Sequence, residues 1–266
     1  MRLKIHTKAQ PKIMSDQNSK DSPRQHKVPF TSPFLPRNPK VVSVKDGYDQ
    51  WSEIYDDETN VLIMLEERYL QPRLAQKNYR NIFDCGCGTG RLAHWLRGQF
   101  PEAEICGADF SEGMLKKARD KDINSRISWH YADLNQPVPF LGGHFDLIVS
   151  TLVIEHINSL DNYFAEIKRV AAPGADIFIT GLHPAMHLLG ISARFENQAN
   201  EQILPESQCH SLSAIFNAAV TAGLQVTRIE EHIADAELVA QAIKAERYLG
   251  IPLLFIMQMQ PGLSKV

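Results

Sequence analysis

The chain has 266 residues, of which 44% are hydrophobic and 22% charged, and its formal net charge is −3. That length supports one large domain with its own core, and the composition excludes a collagenous, a disulfide-rich or a wholly disordered chain. No apolar run approaches the roughly 18 residues of a membrane-crossing helix, so no membrane span is expected.

Residues 1–40 hold six of the 15 prolines, nine Lys or Arg and only two Asp or Glu. With almost no apolar periodicity, they read as a disordered basic tail, and the domain is expected over 41–266. No apolar stretch follows the early charges, so the tail does not resemble a secretory signal. The tail carries +7, which leaves −10 on the other 226 residues. An acidic body lacks the basic surface that grips a phosphate backbone. The expected partner is therefore a small molecule or a protein and not nucleic acid, with the oligomeric state open.

From Val41 the texture changes. Tyr48, Trp51 and Tyr55 fall at i, i+3 and i+7, one helical face. Residues 61–70 continue as helix until Pro72. The apolar run 81–85 is a strand that enters a glycine loop, and Leu92, Trp95, Leu96 and Phe100 mark the helix behind it. Next come a strand at 104–108, a helix at 111–121 and strands at 126–131 and 145–150. Leu160, Tyr163, Phe164, Ile167 and Val170 mark an amphipathic helix, and a strand follows at 175–180. Residues 182–207 are long for a connection and their apolar residues lack a regular pattern. They are read as a lid, or short helices, over a substrate. A helix at 211–222 is stopped by Gly223. A strand at 224–230, a helix at 235–246 and a strand at 251–259 complete the chain. Strands alternating with helices of this length predict a parallel α/β sheet covered on both faces.

The chemistry is concentrated at 81–96, NIFDCGCGTGRLAHWL. An apolar strand ends in Asp84, Gly86, Gly88 and Gly90 follow, and a helix begins. Glycines let the chain turn sharply and let a ligand approach the main chain, and the N–H groups of a helix start then face that ligand. By itself the loop is ambiguous, because Gly88 to Ala93 also fits the dinucleotide pattern G-x-G-x-x-A with Asp109 placed to hold a ribose. The charge at the strand tip discriminates. Asp84 would repel a pyrophosphate and suits a cationic ligand. Of the four cysteines, Cys85 and Cys87 lie inside this loop, a poor disulfide framework with no matching metal-ligand set. They read as packing residues of a protein in a reducing, cytoplasmic compartment, and no metal site is expected.

The run DxGxGTGxL resembles motif I of the class I S-adenosylmethionine-dependent methyltransferases, small-molecule branch. Further resemblances follow in order: ICGADFSEGML (105–115), YADLNQ (131–136), FDLIVSTLVIEHI (145–157) and EIKRVAAPGADIFIT (166–180), with YDQWSEIYDD (48–57) ahead of them. The resemblance implies a doubly wound, Rossmann-like sheet of seven strands, the last antiparallel, under an amino-terminal cofactor-covering helix. It implies S-adenosylmethionine as cofactor. Asp109 would take the ribose hydroxyls, Phe110 would pack on the adenine, Asp133 would meet the adenine amino group and Leu134 would lie beside it. Tyr48, Trp51 and Tyr55 would cover the cofactor, Asp84, Gly86, Gly88 and Gly90 would form its loop, and Met114 and Thr151 would complete the set. The usual Leu-x-Pro-Gly-Gly turn reads Ala171-Ala172-Pro173-Gly174-Ala175 here, a departure at a structural position.

The implied activity is methyl transfer to a small-molecule or carrier-bound acceptor. Carboxyl O-methylation of a carrier-bound malonyl group and quinone-ring methylation are specific alternatives within it. A nicotinamide-dependent oxidoreductase and a non-catalytic S-adenosylmethionine-binding protein remain as other classes. Histidine has the side-chain pKa nearest neutrality, so His156 and then His183, which follow the fourth and fifth strands, are the candidates for removing a proton from the acceptor.

Overall fold

The computed structural model describes Phe34 and residues 39–262. Most of the expected tail over 1–40 therefore lies outside the described residues. Its last residue opens the first strand, β1 (Lys40–Val42), followed by α1 (Val44–Trp51) and α2 (Val61–Leu74). Alternating elements then build the body: β2 (Asn81–Cys85), α3 (Arg91–Gln99), β3 (Glu104–Asp109), α4 (Glu112–Lys121), β4 (Ser128–Tyr131), β5 (Phe145–Thr151), α5 (Leu160–Val170) and β6 (Ala171–Leu182). The excursion that follows holds α6 (Pro184–Leu188), β7 (Phe195–Glu196) and β8 (Gln202–Pro205). The chain closes with α7 (Leu212–Thr221), β9 (Leu224–Ile233), α8 (Ala236–Gln241) and β10 (Pro252–Pro261).

Seven strands form one sheet in the order β4-β3-β2-β5-β6-β10-β9. The first five run parallel, and β10 lies antiparallel between β6 and β9. This is the expected doubly wound architecture. The strand order reverses between β2 and β5, which pair as Ile82↔Leu147 and Phe83↔Ile148. In open α/β sheets a ligand crevice lies beyond the carboxyl ends of the strands at such a reversal.

The strands are continuous apolar runs because both faces are covered. Alternate residues feed two cores. Phe83, Ile148, Ile177, Ile179, Phe255 and Met257 join the core that includes Phe164, Ile167 and Ile215 of α5 and α7. Ile82, Leu147, Val149, Phe178, Leu254 and Ile256 join the opposite core, with Leu65, Leu70, Leu92 and Leu96 of α2 and α3.

Several boundaries differ from the sequence reading. Pro72 does not stop α2, which runs to Leu74. Pro72 falls in the last turn, where a proline costs little of the hydrogen-bond ladder. The helix expected to carry Tyr48, Trp51 and Tyr55 ends at Trp51, and the chain turns over 52–57, with Ser52 Oγ donating to the Asp49 carbonyl at 2.7 Å. The predicted helix 235–246 breaks into α8 and a 3-10 segment at Ile243–Tyr248.

The largest departure concerns 182–207. Instead of loose lid or helices alone, this segment supplies two strands of a second sheet, β1-β8-β7. β1 pairs parallel with β8, placing Lys40 opposite Ile203 and Val42 opposite Pro205. The amino-terminal segment and the excursion are thus one body, with a small core of Trp51, Met114, Phe195 and Ile203. The rings of Trp51 and Phe195 stack at 5.0 Å.

Gly107 in β3 tests how tightly the glycine loop packs on the sheet. A Cβ there would lie 2.6 Å from the Trp129 ring and 3.1 Å from Cys87 Sγ. Gly107→Ala should cost about 1–3 kcal/mol of stability, the usual penalty of overpacking, read as a lower midpoint in urea unfolding.

Candidate functional site

The glycine loop leaves β2 through Gly86 (φ 82°), Gly88 (φ 53°) and Gly90 (φ 78°), three left-handed turns that L side chains rarely adopt. Gly86 N–H and Cys87 N–H donate to the Ala108 carbonyl at 2.8 and 3.0 Å, which anchors the loop to the end of β3. A Cβ on Gly86 would sit 2.3 Å from Val153, whereas Gly88 faces open space. Gly88 N–H and Ser111 N–H donate to the two oxygens of Asp109, each at 2.9 Å. Burial pushes the Asp109 carboxyl above the usual range, and those two N–H groups oppose that shift.

Asp84 lies beneath the loop, 1% exposed, and neither carboxylate oxygen has a hydrogen-bond partner among the described residues. Burial drives its pKa up to about 7, with the Arg91 guanidinium pulling the other way. Arg91 itself is held by Glu66 and, at 2.9 Å, by Glu67 of α2. Glu66 is 1% exposed and accepts a further bond from Thr180 Oγ1 at 2.7 Å. Through these contacts α2, the first turn of α3 and β6 form one network.

Two cavities open above this floor. The first, about 70 Å³, is lined by Gly86, Gly88, Asp109, Phe110 and Met114, and by Asp133, Leu134 and Thr151 across from them. Tyr48, Tyr55 and His156 complete its wall. Eleven of the fifteen expected site residues therefore meet around one cavity. Gly90 is instead the N-cap of α3, and Asp84 lies under the loop. The second cavity, about 250 Å³, shares Tyr48, Tyr55 and Leu152 with the first and is where Trp51 faces.

The structure does not bring His183 to either cavity. Its Nε2 lies 2.5 Å from Glu231 Oε1, and its Nδ1 accepts from Ala185 N–H at 3.1 Å as the N-cap of α6. With both ring nitrogens used, His183 is built into the β6–α6 corner. His156, in a 3-10 turn after β5, stands at the first cavity. Its Nδ1 lies 2.9 Å from the Glu206 carbonyl, which can only accept, so Nδ1 carries the proton. Nε2 then accepts from the Tyr48 hydroxyl at 2.9 Å. Burial holds the Tyr48 phenol well above its ordinary pKa, so it stays a donor.

Other residues of the site are not legible in the sequence. Leu152 adopts φ 58°, left-handed for a branched side chain, at the wall between the cavities. Its N–H is held by the carbonyl and the hydroxyl of Thr180 at 3.1 and 3.2 Å. Glu155, 6% exposed, lines the second cavity, and its Oε2 has no hydrogen-bond partner among the described residues. Its acidic side chain next to His156 was the available signal.

The amino-terminal cover is fixed from below. Asp49 Oδ1 accepts from Ser111 Oγ at 2.6 Å and Gly113 N–H at 3.1 Å at the start of α4. Thr89 Oγ1 in the glycine loop donates to Asp56 Oδ1 at 2.7 Å.

Residues 83–179 match the methyltransferase domain family. An uncharacterized methyltransferase of Emericella nidulans is 28% identical over 258 residues, covering 81% of this chain and 90% of that protein. A malonyl-[acyl-carrier protein] O-methyltransferase of Hahella chejuensis is 35% identical over 103 residues, 39% of this chain and 37% of that protein. An S-adenosylmethionine-dependent methyltransferase structure from Mesorhizobium loti shares the fold at a TM-score of 0.57 and 19% identity, covering 81% of this chain and 99% of that one.

The orphaned carboxylate at Asp84 yields a pH test. Its pKa is raised from below 4 when unfolded to about 7 when folded, so the folded state binds the extra proton. Its contribution is favourable at low pH and is lost as pH rises through 7. Asp84→Asn, which removes that cost, should raise the melting temperature of the ligand-free protein at pH 8, raise it less at pH 5, and leave it little changed only at about pH 4, near the unfolded carboxyl's own pKa. It should also flatten the decline in stability between those values.

Proposed function

We propose that this chain is a class I S-adenosylmethionine-dependent methyltransferase of the small-molecule branch and transfers the cofactor's methyl group to an acceptor seated in the 250 Å³ cavity. One observation carries the reading: the acceptor-sized cavity meets the glycine-loop cavity along Tyr48, Tyr55 and Leu152. A protein that only bound the cofactor would have no use for such a room.

The residues fit S-adenosylmethionine. The open face at Gly88 leaves main chain free for a ligand, and the unpartnered Asp84 suits a cationic one. Asp109, with one lone pair of each oxygen already used, keeps capacity for ribose hydroxyls. Phe110 and Leu134 offer apolar surface to the adenine, and Asp133 offers an acceptor to its amino group. When bound, the cofactor supplies an activated methyl group on a sulfonium.

The protein then has to hold the acceptor close, exclude water and, where the nucleophile carries a proton, remove it. Tyr48 is placed for this last task because it lines both cavities. The acceptor's proton passes to Tyr48 Oη as the phenol's own proton moves to His156 Nε2, which leaves His156 an imidazolium with Nδ1–H still on the Glu206 carbonyl. His183 has no part in this step. Carboxyl methylation of a carrier-bound malonyl group, the reaction in the name of the Hahella relative, needs no proton removal and would bypass the pair.

Two measurements test the reading. Asp109→Ala should weaken S-adenosylhomocysteine binding about ten- to hundredfold, since charge-assisted hydrogen bonds are worth roughly 1.5–3 kcal/mol. Calorimetry that finds unchanged affinity in the folded variant overturns the assignment. With an acceptor identified by labelled-methyl transfer into cell extract and mass spectrometry, Tyr48→Phe and His156→Ala should each lower kcat about a hundredfold or more. The double variant should be no slower than either, because the two act as a unit. Full activity in both single variants would leave catalysis to positioning alone.

A further inference from the structure

Away from the wall it shares with the first cavity, the 250 Å³ cavity is lined by Arg194, Lys244 and Arg247. Arg194 comes from the excursion before β7, and the other two from the 3-10 segment after α8. Two segments distant in sequence therefore bring three cations to one cavity. None has a carboxylate partner among the described residues. Arg194 Nη1 donates to the Phe34 carbonyl at 2.6 Å, and the Arg247 guanidinium lies 5.1 Å from the ring centres of both Phe34 and Tyr248. Those contacts hold the two arginines in place and leave their charge uncancelled.

Several arginines elsewhere are answered by carboxylates, whereas Arg97 and Arg126 donate to backbone carbonyls. Arg68, Arg73, Arg91 and Arg169 each face a carboxylate. The body as a whole is acidic, carrying −10 beyond residue 40. Three unanswered cations converging in an acidic protein form a local field of the opposite sign. The lining also includes the apolar side chains of Leu62, Leu182, Met186, Ile191 and Leu253. Two carboxylates also line the cavity, Glu58, which accepts from Trp51 Nε1 at 3.3 Å, and Glu155, whose Oε2 has no partner among the described residues, and neither is paired with the three cations.

From this polarity we infer that the acceptor is an amphipathic anion. Its reacting group lies at the Tyr48–Tyr55–Leu152 wall, an apolar body follows, and a carboxylate or phosphate is held by Arg194, Lys244 and Arg247. The inference rests on the methyltransferase reading of the same site and narrows its substrate class. The anion is recognised at a distance from the methylated atom, so it survives the reaction unchanged.

Calorimetry on the full chain, with and without saturating S-adenosylhomocysteine, tests it using three probes of equal chain length: decanoate, decyl phosphate and decanol. Decanoate or decyl phosphate should bind about tenfold or more tighter than decanol, the weight of one charge-assisted hydrogen bond. The tighter of the two identifies the anion. The advantage should shrink as salt is raised. Lys244→Gln combined with Arg247→Gln, two exposed positions, should bring the anionic probes to the level of decanol and leave S-adenosylhomocysteine affinity unchanged. That unchanged affinity also shows the variant is folded. Anionic probes that fail to bind, bind no tighter than decanol, or keep their advantage in the double variant overturn the inference. Should S-adenosylhomocysteine itself fail to bind, the methyltransferase reading falls, whereas an anion preference in the unloaded protein would still support the basic site.

Discussion

Asp84 is a carboxylate sealed inside protein, and neither oxygen has a hydrogen-bond partner among the described residues. A buried ion without a partner is among the costliest things a fold can contain, and much of the neighbouring structure is arranged around this one. Arg91 approaches from the first turn of α3 and is itself divided between Glu66 and Glu67. That leaves Asp84 partly uncompensated, at the tip of the strand beside which the sheet order reverses. A cationic ligand arriving over the glycine loop would supply the missing charge. A pyrophosphate would instead meet the same carboxylate as a repulsion.

The second determining feature is that the cover over this site is built rather than loose. The short pairing of β1 with β8 joins the amino-terminal segment to the excursion after β6. Trp51 stacks on Phe195 to close the joint, and Asp49 fastens α1 to the start of α4. Phe34, from the segment read as tail, stacks on Tyr248 at 5.6 Å. The roof is therefore assembled from four distant parts of the chain, and its shape follows the body beneath it. A cover of this kind can exclude water from a reacting pair of ligands, which favours charge-sensitive chemistry inside.

Within that enclosure the polar groups divide the work. Tyr48 touches both cavities, and its hydroxyl donates a hydrogen bond to a histidine whose tautomer is fixed by the Glu206 carbonyl. Leu152 is held in a left-handed conformation by Thr180, the residue whose hydroxyl also bonds Glu66. The wall between the cavities and the buried charges beneath the glycine loop are thus mechanically connected. The second cavity adds apolar lining and three cations, Arg194, Lys244 and Arg247, with no carboxylate partner among the described residues.

The local sequence was enough to determine the sheet, its covering on both faces and most of the glycine-loop site. Apolar runs such as 81–85 and 145–150 declare strands buried on two sides, because backbone pairing and burial depend on residues a few positions apart. Asp84, the three glycines and Asp109 were equally legible, since a strand–loop–helix unit carries its own geometry. What tertiary structure alone decided are the contacts between segments far apart in sequence. No periodicity announces that 182–207 will pair with Lys40–Val42, because the partner that satisfies its backbone lies some 160 residues away, as the pairing of Lys40 with Ile203 makes plain. His156 and His183 both follow successive strands, and in the sequence they stood as first and second candidates for the same role. Only the fold set Tyr48 beside one and Glu231 beside the other, since a histidine's role follows from what occupies its two nitrogens. The cations at 194, 244 and 247 were likewise unremarkable in the chain, and become a site only where the folded segments bring them to one cavity.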